Sequence, residues 1–360
     1  MLKNMRQKER FVLFLCVMMT VVVSVLFVVI SMRAFEEARR LENQDRIDTI
    51  MTPQPLIDSV EDCSKDAVRV LTGVNLNNIF ALSMKDSTYT AVYQVWFRWS
   101  GSPDLDIANH FSVKGGTLGE RVVLKNTTVG NETYQLVSCK ITTVIVYNDI
   151  RYPLDNHLVG CYFVPDYDVE EVMFVADKAN SGYDQGLNVP GYSVEDSYAG
   201  IVYFQNTNSQ SDPTVTGREI YSTLVTATKL TRSDLTVYLK CFITLYGTLI
   251  WMVVTLFVCI YHRVNSLAMI SGALFGAVSN ILVGTGQLSD SLSVGLLEIV
   301  NTYGITIILI GTFTILHINQ MRVNNNEINE YEQLFGKAMF AVILICAVTV
   351  NILIPYLAYR

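Results

Sequence analysis

Five long apolar runs decide most of what this chain can become. Phe11–Met32 and Cys241–Tyr261 contain no charged residue. Val264–Ser289 is also uncharged but rich in Gly and Ser. Ile299–Met321 is interrupted only by His317 near one end, and Ala338–Tyr359 is the last. A helix needs about 20 apolar residues to cross a bilayer, so each run is a candidate span. Charged residues are 16% of the 360, against about 25% in a soluble domain. That composition excludes a disordered chain, a basic nucleic-acid-binding protein and an ordinary cytosolic enzyme. The net charge of −7 argues against any polyanionic partner, so no nucleic acid is expected.

Phe11–Met32 is too long for the hydrophobic part of a cleaved signal, which runs about 7–15 residues. Arg33, Glu36, Glu37, Arg39 and Arg40 follow it directly. An uncleaved anchor is therefore expected, lying outside the Ala338–Tyr359 helix. Lys3, Arg6, Lys8 and Arg10 precede the anchor and by the positive-inside rule put the N-terminus in the cytoplasm. His262–Arg263 and Arg322–Lys337 then return to the cytoplasm. The middle of the chain, Gln287–Glu298 and the C-terminus lie outside.

Residues 33–52 alternate charged side chains with Phe35, Leu41, Ile47 and Ile50, the pattern of a helix continuing out of the membrane. Thr52-Pro53-Gln54-Pro55 ends it, because a residue before proline is pushed out of the helical region. Thr90–Trp99, Tyr134–Tyr147, Leu158–Val164, Val172–Ala176, Gly200–Gln205 and Glu219–Lys229 alternate with period two and are rich in β-branched and aromatic residues, which predicts strands. Gly115-Gly116, Thr128–Asn131, Asn180–Gly182 and Asn206–Gly217 supply turns. Seven to ten strands at this spacing imply an antiparallel sandwich. Between Met51 and Arg232 there are 21 acidic and 13 basic residues, so this region holds the acidic excess. Cys63, Cys139 and Cys161 sit here, with Cys139 and Cys161 either meeting across a hairpin or remaining half-buried thiols.

An outer β-sandwich followed by four membrane helices is a specific order, and four stretches give it a likeness. Thr72–Trp99 is similar to the first two strands, and the turn between them, of the pentameric ligand-gated ion channels (the Cys-loop receptor superfamily), the bacterial members in particular. Arg151-Tyr152-Pro153-Leu154-Asp155-Asn156-His157 resembles that family's signature loop, which touches the membrane domain, with Leu154 replacing the second aromatic. Asn280-Ile281-Leu282-Val283 with Gly284–Ser293 looks like the outer end of the pore helix and its turn. Phe340–Tyr359 is similar to the outermost helix. The resemblance covers residues 65–360. The chain departs from it in lacking the family disulfide, which by position would need cysteines at about Ile145 and Val159, and in having no proline between Leu239 and Tyr261. The anchor Phe11–Met32 is additional.

The resemblance implies that five copies of the second post-sandwich helix line a pore. Anchored on Asn280, the pore face is Leu267, Ser271, Leu274, Val278, Ile281 and Thr285, whose spacing of three and four holds one helix face. Leu274 falls where an apolar ring can gate by dewetting. Arg263 sits at the pore mouth, or is simply a positive-inside loop residue. Ala268, Gly272 and Gly276 form a second, small-residue face that packs against neighbours. Lys85, Asp86, Asp155 and Arg232 match coupling positions between sandwich and membrane loops, with solvated surface charges as the alternative.

By the same likeness, a ligand would bind among Trp96, Trp99, Tyr167, Tyr192 and Tyr203, where aromatic faces suit a cation; strands favour such residues for packing as well. Asp166, Asp168, Glu170 and Glu171 read as an exposed acidic loop or an oxygen-rich calcium site. No catalytic motif is present, so no enzyme, cofactor or metal is expected. The expected fold is membrane α+β. Residues 1–10 are cytoplasmic, 11–32 the anchor, 33–55 a helical linker and 56–232 the extracellular or periplasmic antiparallel β-sandwich. Residues 233–360 form a four-helix transmembrane domain, with helices at about 237–261, 264–287, 296–321 and 337–359. The expected function is a homopentameric channel of the plasma (inner) membrane, embedded in membrane lipid and opened by a small ligand or ion sensed outside. The alternative is a non-conducting membrane sensor or scaffold that keeps the channel fold.

Overall fold

Strict alternation builds the β-rich part of the chain. In Thr88–Ser100 every second side chain from Tyr89 to Trp99 is buried, because successive residues of a strand face opposite sides of the sheet. The computed structural model describes residues 7–46, 60, 64–144, 147–206, 219–286, 294–324 and 330–359. They fall into two compact units. One takes in Leu41–Tyr147 and Asn156–Asp234; the other takes in Met1–Arg40, Asn148–Asp155 and Leu235–Arg360.

Among the described residues the first unit holds ten strands: β1 Val68–Ser83, β2 Thr88–Ser100, β3 Phe111–Lys114, β4 Gly116–Val129, β5 Glu132–Val144, β6 Asn156–Pro165, β7 Val172–Ala176, β8 Gly182–Tyr183, β9 Tyr192–Asn206 and β10 Glu219–Arg232. One sheet runs β4-β5-β2-β1-β7, with β8 also on β1; the other runs β3-β6-β10-β9. Their inner faces share one core that includes Tyr93, Phe97, Phe111, Phe163, Phe174 and Leu224. Tyr93 meets Phe163 across the sheets edge to face at 5.8 Å. Burying each such large side chain contributes roughly 1.5–3 kcal/mol. The pairing is not wholly antiparallel as the sequence suggested. β7 and β8 run parallel to β1, which becomes possible when the chain reaches β1 by a crossover from β6 in the other sheet.

Strand β4 was invisible to the alternation test. From Val122 to Val129 it is exposed on both faces, so no buried face imposes a period. The proline-bearing end of the helical linker, Thr52–Pro55, lies outside the described residues, as do Cys63 and most of the Asn206–Gly217 turn.

The second unit contains α1 Gln7–Arg46, whose last residues extend beyond it, together with α2 Thr236–Tyr261, α3 Leu267–Thr285, α4 Leu296–Asn324 and α5 Glu330–Tyr359. Four of these helices, α1, α2, α4 and α5, are long and apolar enough to cross a membrane. The fifth expected span is shorter than its uncharged run. α3 has 19 residues, roughly 28 Å at 1.5 Å per residue, because Val264–Ser266 belong to the link before it. Nor does α1 lie only outside α5. Its Ser24 hydroxyl is 3.1 Å from the Tyr303 hydroxyl of α4, and Phe27 packs edge-on against the same ring at 5.2 Å.

Cys139 on β5 and Cys161 on β6 are free thiols, both buried in the core between the sheets. Burial pushes the Cys139 thiol up to about 11, against a smaller opposing pull from Arg121. Burial likewise raises Cys161, with Cys139 adding to the shift and Tyr93 and Tyr89 opposing it. A neutral thiol is a poor nucleophile. Neither cysteine should react with a maleimide at pH 8 in the folded protein, and both should react in denaturant, as read by mass spectrometry. Raised folded values also set a sign: the stabilisation from these neutral thiols is complete below the unfolded value near 9. It declines as the pH rises towards about 11, so alkaline melting temperatures should fall across that window.

Candidate functional site

Residues 148–155 follow β5 in sequence, yet they belong to the helical unit. All of Arg151–Asp155 are buried, and Leu154 joins the helical core with Phe242, Leu296 and Ile354. A buried loop must give its backbone groups partners. The Ile150 carbonyl accepts from Leu296 N at 2.7 Å, Tyr152 N donates to Asp149 O, and Leu154 N donates to Arg151 O. Gly295 makes the first contact possible: a Cβ there would stand 2.8 Å from the Ile150 oxygen. Glu298 then reaches back to Gly295 N at 2.9 Å, the reciprocal half of a capping box at the start of α4.

The same loop holds the far end of α5. Arg151 Nε donates to Ala358 O at 2.8 Å, and Arg39 of α1 donates to the adjacent Leu357 O. The last carbonyls of a helix lack partners within it and carry the negative end of its dipole. Two guanidinium groups from different segments satisfy two of them here. Asn148 Nδ2 donates to Ala38 O of α1 at 3.1 Å, which closes the group.

A second polar group lies at the opposite end of α5. Glu332 is 4% exposed and takes Arg322 Nε on one oxygen at 2.6 Å and Arg263 Nη2 on the other at 3.0 Å. Arg322 Nη2 also donates to Cys259 O of α2 at 2.8 Å. The carboxylate therefore joins the α2–α3 link, the end of α4 and the start of α5. Arg263, expected at a pore mouth, is one arm of this group, and its backbone is left-handed, with φ 57°.

Between these ends, α3 shows two unlike faces. Ile270, Ala273, Ala277, Asn280 and Gly284 are buried. The Asn280 amide donates to Asn301 Oδ1 of α4 at 2.8 Å. Gly276 meets α2 so closely that a Cβ would stand 2.3 Å from Thr248. Leu267, Ser271, Phe275 and Val278 are exposed, while Leu274 and Ile281 are partly buried. The side chain of Thr285 lies outside the described residues. The small-residue face meets α2 at Gly272 and Gly276, whereas Ala268 is exposed. Ile270, which is not among the expected pore-face residues, is 3% exposed within the helical core. The register that puts Leu267 and Ser271 outward turns it towards α2 and α4.

The remaining sequence candidates are dispersed. Asp155 is buried at the end of the loop. Arg232 ends β10 in the β unit, where its guanidinium stacks on Tyr192 at 3.9 Å and Nη2 donates to the Tyr192 hydroxyl. Lys85 and Asp86 are exposed in the β1–β2 turn, with Asp86 held by the Ser83 hydroxyl at 2.7 Å. Among the aromatics, Trp96 Nε1 donates to Asp177, Trp99 Nε1 to Ser102 O and the Tyr167 hydroxyl to Leu105 O. Tyr203 packs beside Val60 and Ile220. The five sit on separate stretches: Trp96 and Trp99 on β2, Tyr167 between β6 and β7, and Tyr192 and Tyr203 on β9. Asp168 spends both oxygens on the backbone amides of Glu170 and Ile220, and no metal-binding cluster occurs among the described residues.

Sequence reasoning missed the roles of Glu332, Asn148 and Arg39. Glu332 had one available signal, an acidic residue with Tyr331, Leu334 and Phe335 around it, just after Glu330. No family model matches the chain, and no curated protein matches it.

Removing one partner from a buried ion group leaves the rest uncompensated. Glu332→Gln should lower stability by about 3–5 kcal/mol, read as an earlier thermal transition in detergent. Arg263→Gln, whose side chain is 37% exposed, should lower it by no more than about 1 kcal/mol.

Proposed function

We propose that the chain is the subunit of a homopentameric ion channel of the ligand-gated type, sited in a plasma (inner) membrane. In this reading its N-terminus is cytoplasmic and its β unit faces outward. One observation carries the reading. α3 buries Ile270, Ala273, Ala277 and Asn280 on its neighbours and leaves Leu267, Ser271 and Val278 exposed. A helix exposed along one face inside a compact bundle is suited to meet copies of itself around an axis. Of the residues that the family resemblance assigns to the pore, Leu267, Ser271 and Val278 are on that side, and Leu274 and Ile281 are partly buried. Support also comes from the loop of residues 148–155, which leaves the sheets in sequence and packs among the helices. A channel needs such an element to carry an outer signal to its membrane part.

The non-conducting reading is favoured by the same face seen chemically. Phe275 is 78% exposed, and Ser271 is the one hydroxyl among Leu267, Ser271, Leu274, Phe275 and Val278. Such a lining is mainly apolar and would hold back water.

Two measurements test the proposal. Mass photometry in detergent should give five times the chain mass; monomers or dimers alone would end the pentamer reading. In planar bilayers Leu274→Ser should wet the constriction and raise open probability about tenfold, equivalent to about 1.4 kcal/mol. Ile345→Val, at an exposed position of α5, should leave currents unchanged. Silent wild type and silent Leu274→Ser, from a confirmed pentamer, would favour the scaffold.

A further inference from the structure

The apolar residues of α1 are mostly exposed, while its charged extension buries side chains. In the uncharged part, Phe11, Phe14, Met19, Val25 and Leu26 are each more than half exposed. In the charged extension, Phe35 and Ala38 are 0–1% exposed. A helix that served only to anchor would need apolar length and no specific partners. Here specific contacts are made in the apolar stretch, by Ser24 and Phe27 with Tyr303, and continue into the charged extension beyond it.

We propose that this extension is a control arm: α1 holds residues 148–155 against the end of α5 through Arg39 and Asn148. The contacts form a closed set. Asn148 Nδ2 binds Ala38 O, Arg39 binds Leu357 O, Arg151 binds Ala358 O, and Phe35 enters the helical core. Neither α1 nor the loop can shift alone without breaking one of these. The arm is also stiff. Gln7–Arg46 is one helix with no Gly or Pro, so a tilt of the exposed apolar part is carried to Arg39. The grip has little in reserve, because Arg39 Nε and Asp149 Oδ2 are buried without hydrogen-bond partners, and buried polar groups are costly to leave unmet. A small push on α1 therefore suffices to release the loop.

The inference stands on these contacts and does not need the chain to conduct. Its test is amide hydrogen exchange of the full chain in lipid nanodiscs, followed by mass spectrometry. Arg39→Ala and Asn148→Asp, which removes the donor without changing shape, should each speed exchange in residues 148–155 and 352–359 by tenfold or more. β2 and β5 should stay as in wild type. Arg39→Lys, which keeps a cationic donor, should restore most of the protection, and Arg40→Ala, at an exposed position, should change nothing. Unchanged exchange in 148–155 for the Arg39→Ala/Asn148→Asp pair would overturn the proposal. So would an equal rise across the β strands, which would make α1 a general stabiliser.

Discussion

The hydrogen bond from Leu296 N to Ile150 O is the contact on which the arrangement of the helical unit turns. It fixes a segment that lies between two strands in sequence to the first turn of α4. Once Ile150 is held there, Arg151 reaches the end of α5, Leu154 enters the core and Asn148 meets α1. Eight residues thus touch four helices, since Cys241 of α2 also lies 3.9 Å from the Tyr152 hydroxyl. The geometry tolerates little change at Gly295, since any side chain would collide with the Ile150 carbonyl.

Helices made mostly of apolar residues have few ways to choose one register in an apolar solvent, because lipid offers nearly the same contacts as a neighbouring helix. This chain uses polar groups at defined heights. The loop and its two arginines fix one end, Glu332 with Arg263 and Arg322 fixes the other, and Asn280–Asn301 and Ser24–Tyr303 lie between. Each is directional, and a slip of one helical turn would leave buried donors unmet. Close approach at Gly276 against Thr248 supplies the matching steric constraint. Together they hold α3 by one face and leave the other exposed.

The sequence carried the elements well and the site unevenly. Strands β2, β5, β6 and β7 were legible because one face of each is buried, and a buried face writes period two into the residues. β4 was not, for want of such a face. The apolar runs located the helices, but hydropathy records length and not orientation. The spacing that chose Leu267, Ser271 and Val278 gave a face, and only the packing of α2 and α4 showed Ile270 to lie opposite it. Aromatic residues misled for a different reason. Trp96, Trp99 and Tyr167 have rings that suit ligands, but each spends its polar atom on the fold's own acceptors, and composition alone does not reveal that.

Glu332, Arg39 and Asn148 share a property that explains why they escaped notice. Each has a partner at least 69 residues away in sequence, as Glu332 has in Arg263 beside its nearer partner Arg322, and no local pattern encodes those distant contacts. What the sequence did contain was an imbalance. Arg33, Arg39 and Arg40 follow the anchor at once, where a purely lipid-held helix could end. An arginine so near the membrane ordinarily reaches for water. Arg39 reaches instead for the final turn of α5, where a helix dipole and orphaned carbonyls favour a cation as water would. A charged extension that keeps helical form is therefore evidence of a protein partner for that charge, and in this chain the partner is its own last helix.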